Sequence, residues 1–357
     1  MDLFSDLTLI IATYGQRHHF VQRTTQYWKD TGVHILILDA STHAMSASEQ
    51  AKLSPTTTYL HYPQVDYFER LKIAIDKVES TYVIMHPDDD VNFKSVVHKC
   101  LGELKRDNDL YACDGVYSWF SYFKGELYSL IGKAISKTQI PLTDDPIQRL
   151  EASFQVVFLY GVWKTEMLKI CFKRWPKKVS SPAVFCMVFQ WCLAYLGKWK
   201  TLNELMWMRS YEVEPSSDRD GIKRSFYFHE WYYGESYRHE VEETIQGMVT
   251  SISEVNRGYE EEIRNHIVHV FNKNAQLSIQ EFGNSTYDPH PKITWRKFLL
   301  NQLPMSWIRK YRRLRYMNTA PAGVLMKKQV EWLKNQGIQV NEENINELQS
   351  LLKDYYK

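Results

Sequence analysis

Three aspartates stand side by side at Asp88, Asp89 and Asp90, directly after the strand-like stretch YVIMHP that begins at Tyr82. Two carboxylates about 5 Å apart at an effective dielectric near 20 repel by roughly 3 kcal/mol. Three together need water or a cation to compensate them. A hard divalent ion such as Mg²⁺ or Mn²⁺ takes oxygen ligands and is often shared between carboxylates and a substrate's phosphates. Asp88 and Asp90, one residue apart on an extended turn, can point to the same side. An ion held there would neutralise a departing diphosphate as a Lewis acid. The competing reading is a solvated acidic turn in which Asp90 caps the next helix.

The elements around the triplet decide between the two. LTLIIATYG, from Leu7 to Gly15, is a short continuous apolar run of the buried parallel-strand type. A helix follows with Phe20, Val21, Tyr27 and Trp28 on one face, ended by Gly32. VHILILDAS, from Val33 to Ser41, is a second buried strand. QVDYFERLKIAIDKVE then sets Val65, Phe68, Leu71, Ile75 and Val78 on one helical stripe. Thr81 to Met85 is a third strand with the aspartates at its end. A helix from about Asn92 to Lys105 turns Phe93, Val96, Val97, Cys100, Leu101 and Leu104 inward. This β-α-β-α-β order predicts an α/β fold with a doubly wound, mostly parallel sheet and right-handed crossovers. Ligands bind such sheets beyond the carboxyl ends of the strands. Thr13, Asp39 and Asp88 to Asp90 all fall on that edge.

Farther along, DLYACDGVYSWFSYF continues the sheet, and PLTDDPIQRLEAS starts a helix with Asp144 or Asp145 as N-cap and Pro146 in the first turn. FQVVFLYGVW reads as a strand, followed by a helix from near Lys164. AVFCMVFQWCLAYLG, apolar nearly all round, is a buried helix, and ELMWMRSYE closes the unit. The turn-rich VEPSSDRDG after Glu212 marks a boundary. Residues 1–212 form the first domain, and 213–357 form a mainly helical region.

The chain of 357 residues carries 23 Tyr, 16 Phe and 11 Trp and a net charge of only +2, which excludes a global attraction to nucleic acid. Its five cysteines contain no CxxC pair and read as buried reduced thiols. No basic leader or long apolar run is visible, so the expected location is the cytoplasm. No Walker loop, GxGxxG or zincin pattern occurs.

LTLIIATYGQR, ILILDAS and STYVIMHPDDDV together resemble the signature segments of family-2-type glycosyltransferases of GT-A (Rossmann-like) fold. The resemblance spans roughly residues 5 to 212, including Gly197, Lys198 and a closing Arg209. It is nearest to bacterial domains in which DDD is followed by a DP..R segment, here Asp145, Pro146 and Arg149. It implies that Thr13 and Tyr14 border the nucleotide, that Asp39 bonds the base or ribose, and that Arg70 lies near the base or diphosphate. Asp88 and Asp90 would hold Mn²⁺ or Mg²⁺ with the diphosphate, and Asp89 would lie near the sugar. Read without the family, Asp39 is a strand-end cap and Arg70 a surface residue of its helix.

The sequence departs from the family pattern twice. The acidic pair expected before the buried helix is absent from SSPAVFCMVFQ, so the general base must come from elsewhere. Asp145 is the candidate base. Gln190 is the rival for a retaining reaction, as an amide facing the sugar that cannot take a proton. The histidine expected after Arg209 is also missing; His229 is the substitute metal ligand, against a structural histidine.

Thr294 to Met317 mixes Trp295, Phe298 and Trp307 with Arg309, Arg312, Arg313 and Arg315. It reads as a segment for an anionic membrane surface, at about 1 kcal/mol per basic residue. A docking helix or a solvated basic face is the alternative. The resemblance thus implies a metal-dependent transfer of sugar from a nucleotide-sugar donor to a glycan or lipid-linked acceptor, in surface polysaccharide biosynthesis. The alternatives are a nucleotidyltransferase, for which ATYGQR lacks the Gly- and Lys-rich loop, and a non-catalytic sugar- or partner-binding module.

Overall fold

The first strand, β1 (Leu7–Thr13), feeds two cores by simple alternation. Leu7, Leu9 and Ile11 enter one, and Ile10 enters the other. A strand buried on both faces needs parallel neighbours, and β1 has them in β2 (His34–Asp39) and β4 (Tyr82–Pro87). The computed structural model describes residues 3–15, 17–129, 142–153, 159–175, 180–210, 227–256, 259–282 and 323–355.

Helix α1 (His18–Tyr27) connects β1 to β2; α2 (Ala47–Gln50) and β3 (Thr57–His61) follow, and α3 (Tyr67–Lys77) leads into β4. The sequence places three strands before the acidic triplet, whereas the structure has four. The additional β3 is a half-exposed edge strand whose Thr57, Thr58 and His61 break up the apolar run that marks inner strands. Asp66 caps α3 by accepting from Phe68 N and Glu69 N.

After the triplet come β5 (Val91–Asn92), α4 (Lys94–Arg106), β6 (Leu110–Phe123) and β7 (Glu126–Ser129). Asp90 does not cap α4, because Phe93 holds that position. Then follow α5 (Pro146–Ala152), β8 (Val162–Lys164), α6 (Thr165–Arg174), α7 (Pro182–Leu196) and β9 (Lys198–Ser210). The second region adds α8 (Phe228–Tyr233), α9 (Arg238–Asn256), α10 (Glu260–Phe282), β10 (Val324–Leu325), α11 (Met326–Asn335) and α12 (Glu342–Tyr355).

The strands run β10-β7-β6-β8-β4-β1-β2-β3, with β9 joining β5 to β6. The half from β4 to β3 is parallel, and β6 pairs β9 in parallel. One face of the sheet shares a core with α3, α5, α6 and α7, extended by α8, α9 and α10. The other is covered by α1, α4, α11 and α12. The second region is mainly helical, yet its helices complete both cores of the first, and β10 pairs with β7. All five cysteines are free, and four are buried. The proposed boundary at 213–221, most of the FQVV run and the basic segment 294–317 lie outside the described residues. Among the described residues, no helix is long and apolar enough to cross a membrane.

Candidate functional site

Parallel alignment of β1, β2 and β4 brings Thr13, Asp39 and the turn Asp88–Asp90 to one edge, as their order in the sequence requires. What compensates the three carboxylates is a guanidinium. Arg17, the residue before α1, donates from Nε to Asp88 Oδ2 at 2.7 Å and from Nη2 to Asp88 Oδ1, a bidentate pair. Its Nη2 also lies 3.0 Å from Asp89 Oδ2. Thr13 Oγ1 adds a donor to Asp88 Oδ2 at 2.8 Å. The Arg17 guanidinium lies 5.8 Å from the Tyr14 ring and 5.2 Å from that of Phe20. Burial alone would lower the Arg17 pKa, but the hydrogen bonds and charge of Asp88, with Asp89 adding, raise it instead.

The same helix holds the backbone of the turn. Arg23 donates from Nη2 to Asp89 O at 2.5 Å, and Thr24 Oγ1 to Asp88 O at 3.3 Å. The Arg23 guanidinium sits over the rings of Phe20 and Tyr355 at 5.1 and 5.3 Å, which ties the end of α12 to the acidic turn. His86, one strand residue upstream, donates Nδ1–H to Pro87 O at 2.5 Å; burial pushes its pKa down to about 4, so the ring is neutral.

Asp90 faces the other way. Trp207 Nε1 donates to its Oδ2 and Ser210 N to its Oδ1, both at 2.8 Å, which anchors the end of β9. Burial, with neighbouring Asp89 adding, pushes the Asp90 carboxyl well above the ordinary carboxylate range. Burial and Asp88 raise Asp89 in the same direction. Trp207 stacks obliquely with Tyr160 and Tyr117 at 4.6 and 5.0 Å, and Arg209 lies 4.4 Å over Trp119. An aromatic wall with one cation therefore flanks Asp90.

Asp39 is wholly enclosed, at 0% exposure. Its Oδ1 accepts from Ser41 N at 2.8 Å and Ser41 Oγ at 2.5 Å; its Oδ2 accepts from His18 Nε2 at 2.8 Å and Tyr59 Oη at 2.5 Å. Four donors use the roughly four lone-pair sites of a carboxylate. Asp39 is therefore the strand-end cap that the residues alone suggest, with its oxygens already taken rather than turned to a nucleotide. Outward of it stands His18, whose side chain is 16% exposed. The hydrogen bond to Asp39 raises the His18 pKa. For Asp39, burial pushes upward, and the bonds from His18, Ser41 and Tyr59 together outweigh it and hold the carboxyl below its ordinary value.

Arg70 is neither on the surface nor placed as a ligand contact. It is 1% exposed and donates Nη1 to Thr13 O and Leu38 O, both at 3.0 Å, and Nε to Val65 O at 3.1 Å. It braces the ends of β1 and β2 against α3.

The remaining candidates have structural work. Asp145 caps α5 by accepting from Ile147 N at 2.8 Å and Gln148 N at 3.3 Å. Arg149 closes the end of α7 by donating to Ala194 O and Tyr195 O at 2.9 and 2.8 Å. The DP..R segment thus joins two helices. Gln190 Oε1 accepts from Leu159 N at 3.3 Å and so steadies the residue before Tyr160. His229 on α8 bonds Ser278 Oγ of α10 at 2.8 Å and stacks on Tyr227. Among the described residues, no three His, Cys, Asp or Glu side chains converge as a metal-ligand group. His229 does not join Asp88 and Asp90, and those two carboxylates diverge onto different partners. The donor set as arranged does not fit a divalent ion. Arg17 and His18 were the residues missed in the sequence. The only signal for Arg17 was a lone cation four positions after Thr13.

The sequence matches no protein-family profile and no curated protein. Among solved structures, the fold is similar to that of S. aureus TarS 1–349 in complex with UDP-GlcNAc. The TM-score is 0.52 at 12% identity, over 87% of this chain and 88% of that chain. The same TarS fragment with UDP gives a TM-score of 0.47 at 12% identity, over 98% and 91%. The mannosyltransferase PcManGT of Pyrobaculum calidifontis with GDP-Man and Mn²⁺ gives 0.38 at 11% identity, over 87% and 85%. The fold is of the GT-A glycosyltransferase type.

Proposed function

We propose that the chain is a glycosyltransferase that moves a sugar from a nucleotide-sugar donor to a hydroxyl of a glycan or lipid-linked glycan acceptor. One observation carries the reading. On a GT-A-type sheet, the carboxyl ends of β1, β2 and β4 gather Thr13, Arg17, His18 with Asp39, and the aspartate turn into a single edge. The fold likeness to a structure solved with UDP-GlcNAc supports it.

In this reading His18, oriented by Asp39, meets the nucleoside. Arg17, Asp88 and Asp89 form the edge that faces the diphosphate, and the wall of Trp207, Tyr160 and Tyr117 borders the sugar beside Asp90. Flat aromatic faces pack well on the apolar faces of sugar rings. The acceptor hydroxyl attacks the anomeric carbon as the bond to the diphosphate breaks, and its proton passes to the departing diphosphate or to water, since Asp145 is spent on a helix cap and Gln190 is an amide.

The test is a hydrolysis and binding panel of UDP- and GDP-sugars on the wild type and Asp90→Asn, with and without Mn²⁺. Turnover of at least one donor, falling about tenfold or more in the variant, is the expected result. Absence of binding by every nucleotide in the panel defeats the reading.

A further inference from the structure

Arg17 occupies the position at which the sequence reading places a metal ion, against the Asp88 carboxylate. We infer that Arg17 is the built-in counter-ion of the acidic turn, and that it excludes a divalent cation from the Asp88 and Asp89 carboxylates. The inference rests on the nucleotide-sugar reading in treating this turn as the diphosphate-facing edge.

Three observations carry it. First, both oxygens of Asp88 are taken, by the Arg17 fork and by Thr13 Oγ1, and Asp89 Oδ2 lies within 3.0 Å of the same guanidinium. Second, the Arg17 and Asp88 side chains are 7% and 6% exposed, so water cannot replace either partner cheaply. Third, Asp90 is turned toward Trp207 and Ser210, so the Asp88 and Asp90 carboxylates do not converge on one point. A dication and a guanidinium on one carboxylate pair repel strongly at such a buried position. The turn therefore refuses a divalent ion for as long as Arg17 holds it.

Mn²⁺ binding to the full chain, followed by the paramagnetic resonance signal of the free ion, tests this. Without nucleotide, Arg17→Gln is expected to bind Mn²⁺ about tenfold or more tightly than the wild type, because the competing charge is gone. The gain disappears in Arg17→Gln/Asp88→Asn. Equal or weaker binding by a folded Arg17→Gln overturns the inference. Should that variant fail to fold, Arg17→Lys keeps the charge and loses the fork. An intermediate affinity then supports competition, and wild-type affinity refutes it. A wild type that binds no nucleoside diphosphate, with or without Mn²⁺, sinks the proposed function. The comparison of Mn²⁺ affinities without nucleotide still decides the role of Arg17.

Discussion

Replacing Asp39 by Asn tests whether this buried carboxylate acts through His18. The amide keeps one acceptor, which can serve Ser41, but turns its NH₂ toward the donors His18 Nε2 and Tyr59 Oη. Two charge-assisted bonds are lost at about 1.5–3 kcal/mol each, and relaxation of Tyr59 recovers part, leaving a cost of about 3 kcal/mol. Unfolding entropy of roughly 2.1 cal/mol/K per residue over this chain converts that to a fall of about 4 °C in Tm. The pH profile gives the sign. His18 is raised above its ordinary 6.5, so its contribution is complete below 6.5 and is lost as pH rises through the raised value. Asp39 is lowered below 3.8, so its contribution is complete above 3.8 and is lost as pH falls through the lowered value. The pair therefore stabilises the fold fully between these two ordinary values. Asp39→Asn should flatten the decline on the alkaline side and return the His18 titration, read by NMR, toward 6.5. A variant that melts with the wild type while His18 titrates unchanged would refute the pairing.

Arg70→Met removes the side-chain donors to the carbonyls of Thr13, Leu38 and Val65 and should cost about 3 kcal/mol in urea unfolding, far above a surface substitution. Asp145→Ala should lose about 1 kcal/mol with the cap of α5, whereas Asp145→Asn keeps the cap. Donor turnover by the Asn variant is expected within about twofold of wild type, and a hundredfold fall would make Asp145 the base after all. A Cβ at Gly197 would stand 1.4 Å from Tyr111 Cδ2, so Gly197→Ala should destabilise by about 3 kcal/mol, read from thermal melts. Arg149→Met frees Ala194 O and Tyr195 O and should lower the melting temperature by a similar mechanism, with hydrogen exchange rising first at the end of α7.

The sheet was legible because its inner strands are continuous apolar runs, and such runs admit few arrangements once right-handed crossovers are imposed. β3 escaped because an edge strand with one face in water carries threonines and a histidine that read as a loop. The site was legible only as a place. Strand ends locate Thr13, Asp39 and the aspartate triplet on one edge, since that follows from strand direction alone. Side-chain partners across that edge depend on where a helix start falls against a turn 71 residues later in the chain, and no local period encodes this. Asp39 and Asp145 are the strand-end and helix caps that the residues alone suggest, whereas Arg70 is buried instead of lying on its helix surface. Each of the three holds an element end.

That pattern has a physical cause. The carboxyl ends of parallel strands carry unsatisfied carbonyls and amides, and a cleft built there exposes them to a low-dielectric wall. Buried charged side chains with several hydrogen-bonding atoms satisfy such ends economically: Arg70 serves three carbonyls, and Asp39 gathers four donors. In the proposed function, the groups that would meet a ligand are those next outward, His18 from Asp39 and Arg17 from the triplet. A charged residue at a strand end is thus better evidence for the location of a site than for its own contact with substrate. In this chain the first helical turn after β1, not the strand-end acids, is where substitutions should separate binding from folding.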